Sequence, residues 1–164
     1  MSKDKKDKKD NKTNAMRLLD SAGIKYDVNF YDCNEFVDGT HIADMLGQDH
    51  EMSFKTLVAV GKSSAHYVFV LPIDEELNLK LCAASVGEKS VELIHVKDLF
   101  KLTGYVRGGV SPVGMKKQLP TVIDISAKNF DKIIISAGKL GAQIFISPAD
   151  LEKIINAKFA PIKL

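Results

Sequence analysis

From residue 24 onward, apolar and polar positions alternate in short bursts rather than in long stripes. Ile24, Tyr26, Val28 and Phe30 take every second place, which predicts a strand over 24–32. Two β-rich runs, 55–61 and 66–71, flank Lys62-Ser63-Ser64-Ala65, a spacing that predicts a hairpin. Further strands are expected over 91–94, 121–125, 132–136 and 142–146. Helical spacing is rarer. Met16, Leu18 and Leu19 form the stripe of a first helix, opened by Thr13 or Asn14 and ended by Gly23. A second covers 40–46, capped by Thr40 and stopped at Gly47; others cover 79–86, 96–102 and 149–155, the last with Pro148 in its first turn. Seven strands and five helices without regular βαβ alternation predict an α+β fold built on a mixed sheet. No internal repeat is visible.

Composition narrows the picture in two ways. A chain of 164 residues, 45% hydrophobic, has the size of one domain and enough apolar surface for a core. The first twelve residues stand apart: Lys3 to Lys12 holds six Lys and three Asp with no large apolar side chain, which predicts a disordered arm, with the domain proper over 13–164. The arm reads either as a solubilising tail or as a weak electrostatic lead for RNA. Taking those residues from the chain's 23 basic and 21 acidic side chains leaves 17 and 18, so the body carries −1. A basic coat for gripping duplex DNA is therefore absent, and nucleic-acid contact must rest on local clusters. No run approaches the roughly 18 apolar residues of a membrane span. The charged start with no apolar stretch behind it reads as a chain without a secretory signal, hence cytoplasmic. Cys33 and Cys82, far apart and outside any CxxC pattern, are then expected to be free thiols.

Several chemistries find no support. His41, His50, His66 and His95 show no metal-ligand spacing, so neither zinc nor another metal is expected, and each histidine is read as a surface or packing residue. Dinucleotide-binding, P-loop and nucleophile-elbow motifs are missing, and no cofactor is called for. Three places remain. Ser53-Phe54-Lys55-Thr56-Leu57-Val58 carries a lysine into an apolar strand, where it either protects an edge or projects into a cleft. Gly108-Gly109-Val110-Ser111-Pro112-Val113-Gly114, followed by Lys116 and Lys117, is either a tight loop or a place where backbone N–H groups converge on an anion. Ser136-Ala137-Gly138-Lys139-Leu140-Gly141 reads as a hairpin turn of small residues.

Taken with Leu77-Asn78-Leu79-Lys80 and Gly104-Tyr105, these segments resemble, in order and spacing over nearly all of residues 13 to 164, the YbaK/EbsC aminoacyl-tRNA deacylases. That family is related to the editing domain of bacterial prolyl-tRNA synthetases. The resemblance is nearest to the free-standing Cys-tRNA(Pro) deacylases, through the GGxSPxG segment and the SxGK turn. It implies a curled, barrel-like sheet surrounded by helices, and a trans-editing enzyme that removes cysteine from mischarged tRNA(Pro). Alternatives are a deacylase for Ala-tRNA(Pro) or another small aminoacyl-tRNA, and a non-catalytic RNA-binding module of the same fold.

The resemblance also implies roles. Lys55 takes the place of the signature active-site lysine, with Thr56 beside it. Tyr31 lines the pocket, Gly108 offers its N–H to the acyl carbonyl with Gly109 next to it, and Ser136 faces the pocket. The substrate's own thiol attacks its carbonyl and leaves as a cyclic thiolactone, so no protein nucleophile is needed. Lys80, Lys116, Lys117 and Lys139 are candidates for the acceptor end of tRNA, and a prolyl-tRNA synthetase is a candidate partner. Two positions depart from the family pattern: Ala137 stands where glycine is common and Leu140 where a basic residue is common. Neither is expected to touch the chemistry, although Leu140 costs a phosphate contact.

Overall fold

The structure, a computed structural model, describes residues 12–164. Its elements are α1 (Asn14–Ser21), β1 (Asp27–Phe30), α2 (Gly39–Leu46), β2 (Phe54–Gly61), β3 (His66–Pro72), α3 (Leu79–Val86), β4 (Val91–Leu93), α4 (Val96–Thr103), β5 (Thr121–Asp124), β6 (Ile133–Ser136), β7 (Ala142–Ile146), α5 (Pro148–Ile155) and β8 (Lys158–Ala160), with short 3-10 turns at His50–Met52 and Ile125–Asn129. The expected arm lies outside the described residues except for Lys12, whose ammonium pairs with Asp20 on α1.

The α+β expectation holds, with the strands divided between two sheets. One runs β1-β7-β6, all antiparallel; the other runs β4-β2-β3-β5-β8, antiparallel at first and parallel from β3 onward. A single parallel bridge, Ser53 to Ile134, joins them. This forks β2. One edge pairs with β3 from Phe54 to Val60. The opposite edge meets β6 at Ser53 and β4 only from Ala59, with Ile94 donating to the Val58 carbonyl at 3.1 Å. Between those points no strand pairing is made on that edge, and the fold leaves a gap there. A larger core of α1, β6, β7 and α5 residues with Phe54 and Val58 fills one side, while Phe69, Leu71, Cys82 and Ile162 fill the other.

Three local expectations need correcting. The first strand is shorter: the Ile24 N–H bonds the Leu19 carbonyl in the turn that closes α1, and pairing with β7 starts only at Asp27. The cap of α2 is Asp38, whose carboxylate accepts from the His41 N–H at 2.9 Å, and Thr40 lies one residue inside the helix. The strand β8 went unpredicted because three residues carry too little pattern; its pairing comes from β5, some 35 residues earlier.

Candidate active site

A cavity of about 480 Å³ opens at the fork, within the size range of small-ligand sites. Six consecutive residues, Ser53 and the first five of β2 to Val58, line it. Successive side chains of a strand point to opposite faces, so a cavity touched by all six abuts the strand's edge. The other walls come from α2 and the segment before it, β4 and the start of α4, the Arg107–Gly108 loop, and β6 with β7.

Lys55 enters this cavity half-buried, and its ammonium donates to the Ile73 carbonyl at 3.2 Å. Burial lowers its pKa, opposed by the nearby carboxylates of Glu76, Asp74 and Glu75. A partly desolvated ammonium with one neutral acceptor keeps donor capacity for a ligand. Beside it the Thr56 hydroxyl is buried without a hydrogen-bond partner. Tyr31 also lines the cavity, its N–H held by the Gly141 carbonyl at 2.9 Å and its phenol pKa raised chiefly by burial. Ser136 lines it too, with its hydroxyl accepting from the Gly138 N–H at 3.1 Å.

Gly108 forms part of the wall, with φ of +86°, a conformation that favours glycine. A Cβ there would lie 2.9 Å from Leu140 Cδ2 and 3.0 Å from Phe36 Cδ2. Leu140 therefore packs directly on Gly108. Gly109 sits behind this surface: its N–H goes to the Val106 carbonyl at 2.9 Å, and it packs against the Lys139 backbone.

Tyr105 holds the glycine loop. It is buried, its hydroxyl donates to the Val113 carbonyl at 2.6 Å, and burial pushes its pKa up to about 12. Its ring and hydroxyl occupy the space that Cβ atoms at Gly138 and Gly114 would need, at 2.8 Å in each case. One side chain thus crowds a glycine in each of two motifs far apart in sequence, with the Ala15 backbone adding to it at Gly114. Thr13 adds a tie, accepting from the Met16 N–H to cap α1 while donating to the Ala137 carbonyl.

The structure thus brings Tyr31, Lys55, Thr56, Gly108 and Ser136 to one cavity, with Gly109 behind it. Lys80, Lys116 and Lys117 are exposed and do not line the cavity. Lys139 does not line it either; its ammonium lies 5.4 Å from the centroid of the Phe30 ring. Sequence reasoning missed the α2 wall. There His50 bridges Asp44 at 2.6 Å and Asp74 at 2.7 Å, and both carboxylates raise its pKa. Gln48 and Gln143 exchange hydrogen bonds at 2.7 and 3.0 Å across the cavity's edge. Reciprocal amides 95 residues apart leave no local signal.

Among the described residues no cluster of three or more His, Cys, Asp or Glu is placed to hold a metal, and no helix is long and apolar enough to cross a membrane. Comparison with known proteins finds relatives in sequence and in fold. A relative from Enterococcus faecalis (strain ATCC 700802 / V583), named as a Cys-tRNA(Pro)/Cys-tRNA(Cys) deacylase, EbsC, is 42% identical over 151 residues, covering 92% of each chain. The crystal structure of the hypothetical protein APE2540 superposes with a TM-score of 0.85 at 23% identity, covering 93% of this chain and all of that one. One described as a trans-editing enzyme for prolyl tRNA synthetase gives 0.78 at 23%, covering 92% of this chain and 95% of that one. At such identity the two structures speak for the fold alone. The model of the aminoacyl-tRNA editing domain family matches residues 38–154, a span that holds Lys55, the Gly108 loop, Ser136 and the whole α2 wall, and this chain belongs to that family.

Proposed function

We propose that this protein, through one editing domain over residues 13–164, removes cysteine from mischarged tRNA(Pro) in the cytoplasm. A synthetase pocket for proline rejects cysteine or alanine poorly, because small apolar differences are worth only about 1–3 kcal/mol. A second site that cleaves the wrong ester then becomes necessary. The observation that carries this reading is the cavity wall itself: a half-buried Lys55 ammonium and Gly108, with no side chain of its own, border the same space.

Lys55 orients the ester, and the Gly108 N–H stabilises the charge that develops on the carbonyl oxygen. Thr56, whose hydroxyl lacks a partner, and Tyr31 and Ser136 contact the aminoacyl group. The substrate's thiol sulfur bonds to its own carbonyl carbon, the ester C–O bond breaks, and the thiol proton ends on the ribose oxygen. Cyclic thiolactone and free tRNA result. The bridge between Ser53 and Ile134 supports reading the two sheets as one curled, barrel-like wall around the substrate. Lys80, Lys116, Lys117 and Lys139 supply weak contacts to the acceptor end, and a prolyl-tRNA synthetase delivers the charged tRNA.

Purified protein incubated with Cys-, Ala- and Ser-tRNA(Pro) and with Cys-tRNA(Cys) tests this. Cys-tRNA(Pro) is expected to be cleaved far faster than the Ala and Ser esters, which have no sulfur to attack. Equal rates on Cys and Ala esters would rule out thiol attack and point to water. Discrimination between the two Cys-tRNAs reports whether selectivity resides in this chain or in a delivering partner.

A further inference from the structure

Two surface pairs of an aromatic ring and a cation meet the glycine loop, and the first of them, Phe36 with Arg107, lines the cavity. The Arg107 guanidinium lies 4.0 Å from the centroid of the Phe36 ring, and the Lys139 ammonium lies 5.4 Å from that of Phe30. Both rings remain about half exposed, Phe36 at 45% and Phe30 at 49%. Both pairs reach the same spot: Phe36 touches Gly108, and the Lys139 backbone packs against Gly109. Exposed cation–aromatic pairs contribute only about 0.5–1 kcal/mol to stability, so folding alone gives weak reason for two such pairs beside one loop.

Their position suits an occupant. If the Gly108 N–H receives the acyl carbonyl, the alcohol side of the ester must leave the cavity beside this loop, and on an aminoacyl-tRNA that alcohol is the terminal nucleoside. Unstacked bases at an RNA end bind aromatic faces and arginine planes, while lysines meet the phosphates. We infer that Phe36 with Arg107 forms a stacking seat for the terminal base of the substrate RNA, and that Lys139, poised over Phe30, receives the phosphate preceding it. This rests on the deacylase reading above for its substrate, but its test does not depend on catalysis. It also gives Leu140 a place: an apolar neighbour of Phe36 on Gly108 that buttresses the seat, while the charge comes from Lys139 one residue earlier.

The chain contains no tryptophan, so 2-aminopurine fluorescence can be read cleanly. An uncharged oligoribonucleotide with the single-stranded 3′ end of tRNA, carrying 2-aminopurine as its last base, serves as the probe. Wild-type protein is expected to quench it on binding. Phe36→Ala and Phe36→Leu should both abolish the quench and weaken binding on the order of 5- to 150-fold, the range for removing one base–aromatic stack. Phe36→Tyr should restore both. Lys139→Ala should keep the quench and flatten the dependence of log Kd on log salt by about 0.7, one single-strand phosphate contact. Because Phe36 is half exposed, unchanged melting temperatures are expected to accompany these losses.

Full quenching with unaltered affinity in Phe36→Leu would overturn the seat, as would failure of the wild type to bind the probe. Competition by free ribose 5-phosphate as effective as by the RNA would also overturn it, since the base would then contribute nothing. Binding and quenching without deacylation of any charged tRNA would leave the seat standing and defeat the deacylase reading instead.

Discussion

The glycine-loop wall and the α2 wall face the same cavity but are built on different principles. The glycine loop is fixed from within: Tyr105 is buried, its hydroxyl is satisfied by Val113, the Ser111 hydroxyl accepts from the Val113 N–H at 3.2 Å, and the loop touches α1 through Gly114. The α2 wall is fixed from outside, by His50 between two carboxylates, by Thr40 on Asp74 at 3.2 Å, and by the Gln48–Gln143 amides. Buried contacts hold a backbone donor to a fraction of an ångström regardless of solvent conditions. Exposed ionisable contacts hold a helix only as long as their charges persist. The wall assigned to carbonyl stabilisation is thus the insensitive one, and the α2 wall is the adjustable one.

The sharpest way to break this contrast is Tyr105→Ala. Emptying that site should cost on the order of 3–5 kcal/mol, seen as a melting temperature lower by roughly 10 °C. Activity should vanish with the loop's geometry. Tyr105→Phe keeps the ring and should cost only about 1 kcal/mol. If the alanine variant melts like wild type, the loop is supported by something other than Tyr105. Gly138→Ala comes next, because a Cβ there meets the Tyr105 ring at 2.8 Å with φ at +102°; a loss of about 2 kcal/mol in urea unfolding is expected.

A smaller effect tests the other wall. The two carboxylates raise the His50 pKa above its ordinary 6.5 in the folded state. The charged clamp therefore contributes fully below about pH 6.5 and is lost as pH rises through the raised value. Amide exchange, corrected for its intrinsic pH dependence, should show α2 less protected at pH 9 than at pH 6, with the glycine loop unchanged. His50→Gln should remove that difference; a difference that survives it would place the pH sensitivity elsewhere. Smallest of all is Lys132→Ala. The Lys132–Asp27 pair at 2.9 Å is exposed on both sides, so chemical denaturation should register a change within about 0.5 kcal/mol.

The same contrast governs how much could be read from the chain. Elements of seven or eight residues with clear period, such as α3 capped by Asn78 or β2 and β3 across their short turn, follow from local chemistry. Tyr31, Lys55, Gly108 and Ser136 were found through the ordered motifs of a resemblance, and they converge on one cavity. The motifs do not reveal why Gly138 and Gly114 are glycines; part of that answer is Tyr105, whose ring crowds the first and whose hydroxyl crowds the second. Nor do they reveal Phe36, Gln48, Gln143 or the His50 bridge, since those depend on pairings between distant segments with no spacing rule. The over-extended first strand shows the same limit: Ile24 and Tyr26 alternate like strand residues, yet the turn that closes α1 claims them.

Single-turnover cleavage of Cys-tRNA(Pro) by wild-type protein and by Lys55→Ala, with the released product identified, tests the assigned chemistry most directly. Wild type should release the cyclic thiolactone or the cysteine formed from it by hydrolysis. Lys55→Ala should melt near the wild-type temperature yet show no cleavage above the spontaneous rate, and Lys55→Arg should fail as well, because a planar fork does not replace a compact ammonium. Near-wild-type turnover by a folded Lys55→Ala variant would contradict the assignment of the cavity as the site where this ester is cleaved.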